Sequence, residues 1–345
     1  MSERPSPRTA ALDTVPAGSR VPAETDPHER TLIAWPTESR REQLWGDQLN
    51  AARQLHALLA HVIARFEPVL LVADPADFDD AARHVVDDRI DVIGAEIDDS
   101  WLRDSGPVIA VAPDGTRHAL CFRFTGWGGS FVPFDRDATI APRLAAQLGL
   151  QAYELGIAGE GGALVLDGTG TVVTTERCLL NPNRNPDLKR VDIDAVVHRA
   201  VGAGPVVWLA DGIAEDEGTD GHVDNVVAFH APGRCLLQGC DDPANPNHDI
   251  ARANRERLVR AGIHVTEVPV LPYAEVGGQR VPVPYVNLYP VNGAVLVPVA
   301  GDPADAAMLE VIGRCFPDRE VIGIPGAVLA YGGGGVHCVT QPMPQ

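Results

Sequence analysis

The chain has 345 residues, 45% of them hydrophobic, and its 28 basic against 47 acidic side chains leave a formal charge of −19. That much apolar material suits one large globular unit or two closely packed ones and excludes global disorder. No cluster of Lys and Arg offsets the acidic surplus, which argues against nucleic acid or an anionic membrane as partner and fits a small cation better.

Residues 1–20 are rich in Ser, Pro, Arg and Ala without an apolar stretch, so they read as a disordered tail rather than a signal peptide. A single domain is expected over 21–345. Leu55, Leu58, Leu59, Val62 and Phe66 recur at helical spacing within 39–66, and the apolar strand Val69–Ala73 follows Pro68. The same helix-to-strand order is expected at 75–87 into 90–97, 138–149 into 151–155, 188–202 into 205–209, 247–262 into 264–268 and 303–316 into 320–325. Short strand pairs lie between these units, as at 108–111 and 118–124 around Pro113-Asp114-Gly115, or at 163–166 and 171–174 around Asp167-Gly168. The repeating unit is therefore two strands, a helix and a strand, present about five times. A nucleotide-binding doubly wound sheet is disfavoured, because neither GxGxxG after the first strand nor GxxxxGK[ST] is present. What remains is an α/β protein whose modules are compatible with propeller blades.

The six cysteines form no CxxC pair, so neither a disulfide framework nor a zinc ribbon is expected. There is no run of about 18 apolar residues that would cross a membrane. A cytoplasmic protein is the expectation.

Polar residues concentrate at strand ends in four places: 98–107, Glu160-Gly161-Gly162, Gly221-His222-Val223-Asp224-Asn225 and 332–338. Cys338 follows four glycines, which leave room for a substrate near the sulfur; the plainer reading is a buried structural thiol. His222 and Asp224 share a strand face if that segment is extended, and suit an acid/base pair or two metal ligands. No HExxH or HxH pattern favours the metal, and no cofactor is expected. Asp104 reads alone as a turn residue and Glu160 as an exposed loop acid. Taken together, a thiol, an imidazole and three carboxylates suit a planar cation with forked donors, of which guanidinium is the clearest case.

These motifs resemble the agmatine deiminase family. The residues carrying the resemblance are Val21-Pro22-Ala23-Glu24, Pro27-His28-Glu29, Trp35-Pro36, Trp101 through Pro107, Gly126-Trp127-Gly128-Gly129, Glu160-Gly161-Gly162, Leu179 through Pro186, Thr219 through Asn225, Tyr285-Val286-Asn287 and His337 through Gln341. The resemblance covers about 21–345, and bacterial peptidylarginine deiminases share the same core. It implies the pentein fold, a five-bladed α/β propeller of ββαβ modules around a central active site. It implies Cys338 as nucleophile, His222 as acid/base, Asp104 with Asp224 as a guanidinium clamp, and Glu160 as the acid that orients the His. Trp101 and Trp127 are implied to line the substrate site, with Gly335 where the family usually carries Asn. Four residues before the His, where an acid near the amine end of agmatine is common, this chain has Gly218; Asp216, Glu217 or Asp220 would then have to compensate. The implied reaction is hydrolysis of agmatine to N-carbamoylputrescine and ammonia through a covalent thiouronium on Cys338, without metal or organic cofactor, in a chain that could form homo-oligomers. Alternatives are another alkylguanidine or a peptidyl arginine as substrate, or a non-catalytic polyamine or guanidine binder that inherited the pocket.

Overall fold

The computed structural model describes residues 9–202 and 204–345. Its strands fall into five sheets that share one plan, plus a separate hairpin. In each sheet a first strand pairs antiparallel with a second, a helix crosses over, and a third strand pairs parallel with the second. The first sheet uses Val108–Val111, Arg117–Arg123, the helix Ile140–Gln147 and Gln151–Ala158. The next three use Val165–Leu166, Val172–Thr175 and Val206–Leu209; Val227–Ala231, Arg234–Gln238 and His264–Val268; and Tyr289–Val291, Ala294–Val299 and Glu320–Pro325. The fifth is closed by the two ends of the chain: Thr340–Pro344 pairs antiparallel with His28–Ala34, which pairs parallel with Val69–Ala73. Six helix-to-strand repeats thus make five blades. The one at 75–87 supplies Phe78–His84 and then Ile90–Gly94, a fourth strand on the closing blade.

The helices follow from local chemistry. Leu49–Ala64 buries Leu49, Ala52, Leu55, Leu59, Ala60 and Ile63, an i, i+3/i+4 stripe, whereas Leu58 is 43% exposed and lies off that face. Pro246–Arg260 begins with Pro where no intrahelical N–H is needed, and the Asn245 side chain caps it by accepting from Asn247 N at 2.9 Å.

One cavity is lined by Ile109, Val165, Val227, Pro290 and Pro342, one residue from the first strand of every blade. First strands are therefore innermost and surround a common axis, the arrangement of a pentein-type propeller. The expected disordered tail needs correcting over residues 9–20. Thr9–Ala11 pairs parallel with 152–154 as an added edge strand, Arg20 bridges Val111, and Val15 and Ser19 are buried. Small and β-branched residues let this segment cover an edge that would otherwise be open. Residues 1–8 of that expectation lie outside the described residues. Among the described residues no helix is long and apolar enough to cross a membrane.

Candidate active site

Each blade carries a polar residue just ahead of its innermost strand: Asp104, Glu160, His222 with Asp224, Asn287 and Cys338. Because those strands surround one axis, the five positions meet at one end of it. Asp104 sits in the short helix Leu102–Ser105, and its carboxylate does not cap its own turn. Oδ1 accepts from Gly162 N at 3.0 Å, and Oδ2 accepts from Trp127 Nε1 at 2.9 Å. Gly161 and Gly162 are glycines for steric reasons. A Cβ on Gly161 would lie 2.2 Å from the carbonyl oxygen of Arg103; one on Gly162 would lie 2.7 Å from Asp104 Oδ1, 2.8 Å from His222 Nδ1 and 2.9 Å from Asp224 Oδ2. The space above Gly162 is thus ringed by two carboxylates and an imidazole. Cys338 Sγ stands 3.5 Å from Asp224 Oδ2 and receives a hydrogen bond from Asn287 Nδ2 at 3.2 Å.

Further back, Glu160 Oε2 lies 3.3 Å from His222 Nε2, and Arg184 Nε donates to both Glu160 oxygens at 3.0 Å, with both side chains fully buried. Glu160, Cys178 and His222 hold ligand-type atoms within 4.8 Å of one another. Arg184 already neutralises that carboxylate and would repel a cation, so this trio does not suit a metal.

Burial dominates the electrostatics, and charge decides the sign. Burial pushes the Cys338 thiol well above its ordinary value, and Asp224 and Asp104 push it further. Burial raises Asp104 to about 6, against the pull of His222 and with the help of Asp224 and Glu160. For Glu160 burial alone would raise the carboxyl, but His222 and Arg184 hold it low; for Asp224 the His337 imidazole does the same. Burial would lower His222, yet Asp104, Cys178 and Glu160 raise it well above its usual value. The resting site therefore pairs a protonated thiol with an imidazolium.

Residues 20–344 match the family of Porphyromonas-type peptidyl-arginine deiminases. The agmatine deiminase of Pseudomonas putida F1 is 37% identical, with 95% of this chain and 96% of the relative covered. That of Stutzerimonas stutzeri A1501 is 34% identical over 95% and 96%. A solved structure of the agmatine deiminase of Enterococcus faecalis superposes with a TM-score of 0.90 at 29% identity, covering 95% of this chain and 96% of that one. The chain belongs to the agmatine deiminase family.

In this agmatine deiminase homologue the mouth of the pocket is where residue placements depart from the sequence expectations. The pocket above Cys338 and Asp104 is lined by Trp101 and Trp127, with Trp101 stacked on Trp45 and anchored through Nε1 to Asp99 at 3.0 Å. Gly218 lies at the rim, where a Cβ would touch the Phe131 ring at 3.3 Å. The compensating acids expected from the sequence are not available there. Asp216 lines the pocket, but its oxygens already accept from Thr219 N and Oγ1, His222 N and Asn225 Nδ2, which makes it the brace of the His222 loop. Glu217 is exposed and outside the lining, and Asp220 is bound to Arg184 at 2.5 Å and Asn183 at 2.8 Å. Gly335 does not line the pocket either: its Cα packs so tightly on Asn287 that a Cβ would lie 2.3 Å from Oδ1. An exposed carboxylate at the rim is that of Glu215, which sequence reasoning missed. Each of its oxygens accepts one hydrogen bond, from Tyr273 Oη and Asn247 Nδ2, both at 2.7 Å. Arg280 stands at the same rim, stacked 3.5 Å from the Tyr273 ring centroid. Asn287 was also missed as a site residue, although it occupies the same place in its blade as the other four do in theirs.

Proposed function

We propose that this protein hydrolyses the guanidinium group of agmatine, giving N-carbamoylputrescine and ammonia, with Cys338 as nucleophile, His222 as acid/base and Asp104 and Asp224 as the clamp. The observation that carries the reading is the ring of Asp104, His222 and Asp224 atoms above Gly162, with the Cys338 sulfur beside it. A guanidinium placed there meets a carboxylate on either side, so its forked N–H groups are matched in geometry and charge.

The chemistry follows from the charges. The arriving cation offsets the carboxylates that hold the thiol protonated, so the sulfur can lose its proton to solvent and attack the central carbon. The neutral tetrahedral adduct breaks its C–N bond when the His222 imidazolium donates a proton to the departing nitrogen, which leaves as ammonia. The remaining thiouronium is attacked by a water whose proton passes to the now neutral His222. Collapse expels the sulfur and leaves the ureido product. Glu160, fixed by Arg184, holds the imidazole ring in place for both transfers.

A small substrate is favoured because Cys338 is 5% exposed at the bottom of a pocket flanked by two tryptophans. That arrangement counts against peptidyl arginine. A different alkylguanidine is the second reading, favoured by Gly218 and the Arg280 charge at the rim. A pure binder has no use for a sulfur held beside the clamp. The test is ammonia release from agmatine, arginine, guanidinoalkanes of several lengths and a peptidyl arginine. Agmatine is expected to react fastest; equal turnover of an alkylguanidine lacking a distal amine would transfer the assignment to that class.

A further inference from the structure

Behind the clamp lies a second set of charges that the reaction as described does not use. Glu24, in the segment leading to His28–Ala34, lines the axial cavity with Arg103, Asp224 and His337, whereas Cys338 and Asp104 line the substrate pocket. Its carboxylate lies 2.6 Å from Arg103 Nη1, and 2.9 and 3.0 Å from His337 Nε2. The other nitrogen of that ring, Nδ1, is 2.8 Å from Asp224 Oδ2. Arg103 and His337 are the immediate chain neighbours of Asp104 and Cys338. They are also tied to each other's loops, since Arg103 Nε donates to His337 O at 3.3 Å and Arg103 N donates to Cys338 O at 3.2 Å. Glu24 therefore grips both catalytic loops from one point.

A neutral imidazole offers one N–H and one lone pair, while an ionised carboxylate only accepts. His337 has a carboxylate on each ring nitrogen, so both contacts are satisfied together when the ring carries both protons. We propose that Glu24 is a positioning residue, which acts through a permanently charged His337 to hold Asp224 ionised and aimed at the substrate guanidinium. This inference rests on the proposed clamp role of Asp224.

The surrounding charges agree with it. Burial and Arg103 oppose a charged His337, but Glu24 and Asp224 outweigh them and raise its proton affinity. Burial would raise Glu24, yet Arg103 and His337, with His28 nearby, hold it far below the usual carboxylate range. The His28 ring meets the backbone oxygen of Glu24 through Nε2 at 3.0 Å and the Glu67 carboxylate through Nδ1 at 3.0 Å, so it does not compete for the Glu24 carboxylate. Without the Glu24 charge the His337 proton would be lost at lower pH. A ring lone pair would then face either Asp224 or the side chain at 24, and the clamp would loosen as pH rises.

The experiment compares wild type with Glu24→Gln and Glu24→Asp. Nitrogen-15 spectra of histidine-labelled wild type near neutral pH are expected to give His337, assigned by its loss in His337→Asn, protons on both ring nitrogens. In Glu24→Gln, KM for the guanidine substrate should rise about tenfold, one unit of proton affinity, with a smaller change in kcat. The alkaline fall of kcat/KM should also begin at lower pH than in wild type. Glu24→Asp, which keeps the charge, should move that alkaline fall back toward wild type. A neutral His337 in wild type would overturn the proposal, as would an unchanged pH profile in Glu24→Gln. The spectra decide it even if Glu24→Gln fails to fold. A wild type that turns over no guanidine would defeat the functional reading instead, and the charge on His337 would still be read from the spectra.

Discussion

The bottom of the pocket and its rim are built from different material. At the bottom, Asp104, Glu160, Asp224, Asn287 and Cys338 are buried and project from the approaches to five innermost strands, so the fold itself sets their distances. The rim comes from segments outside the blade plan: the loop around 213–219, the segment after Thr125, and the hairpin of Tyr273–Val276 with Gln279–Pro282. Its charged groups, Glu215 and Arg280, are exposed, opposite in sign and held by one another's neighbours. On the proposed reading, reaction chemistry is set by the blade architecture, while the choice among guanidines falls to exposed groups at the rim. Changes at the bottom should cost orders of magnitude, and changes at the rim should cost little and depend on the substrate.

The largest expected effect is that of Cys338→Ser, which should lower kcat by roughly 10⁴-fold or more, as loss of a nucleophile does. Melting should be close to wild type; retained ammonia release would end the covalent account. Gly162→Ala places a methyl among Asp104, His222 and Asp224, and should lower kcat/KM by roughly 10²-fold for every guanidine, the scale of a misplacement of about 1 Å. A loss confined to agmatine would mean that this space holds something other than the guanidinium.

A pH profile is the third test. Asp104 is raised to about 6 by burial and by Asp224 and Glu160, so below that pH its carboxyl is neutral and one side of the clamp is lost. Loss of the thiol proton already makes kcat/KM rise with pH, so below about pH 6 the curve should steepen by a further tenfold per pH unit. A bend near the ordinary aspartate value would show that Asp104 is not the group being titrated.

The smallest effect belongs to the rim. Glu215→Gln should raise KM for agmatine roughly threefold, the scale of an exposed ion pair, and leave an alkylguanidine without a distal amine unaffected. Arg280→Gln should act in the opposite direction on agmatine. Equal effects on substrates with and without the distal amine would remove both residues from amine recognition.

The same division explains what could be read from the sequence. Apolar periodicity located the helices at 140–147, 190–201, 246–260 and 305–313 to within a few residues, because each buries one stripe against its sheet, whereas the helix at 49–64 begins about ten residues into the expected 39–66. Periodicity could not show that Thr340–Pro344 pairs with His28–Ala34, a contact between chain ends that no local pattern encodes. Nor could composition show that residues 9–20 are held by an open sheet edge. Cys338, His222, Asp104, Asp224 and Glu160 were nameable from motifs, and the fold brings all five together. Asn287 had a discernible signal, its place just ahead of an innermost strand, but only once the five-blade register is known. Glu215 had none, since an acid among Asp216, Glu217 and Asp220 looks like its neighbours until the fold shows which of them lies exposed at the pocket mouth and which braces a buried loop. Gly335 was misplaced for a similar reason: a glycine beside a nucleophile suggests room for substrate, whereas here it makes room for Asn287.

The central claim is that Cys338 becomes covalently joined to the guanidine carbon, and intact-protein mass spectrometry of acid-quenched turnover mixtures tests it most directly. With agmatine, the account predicts a species heavier than the free protein by the mass of agmatine less ammonia, mapped by peptide analysis to Cys338 and absent from Cys338→Ser. Ammonia production at the wild-type rate by Cys338→Ser, or an adduct mapped to another residue, would contradict it.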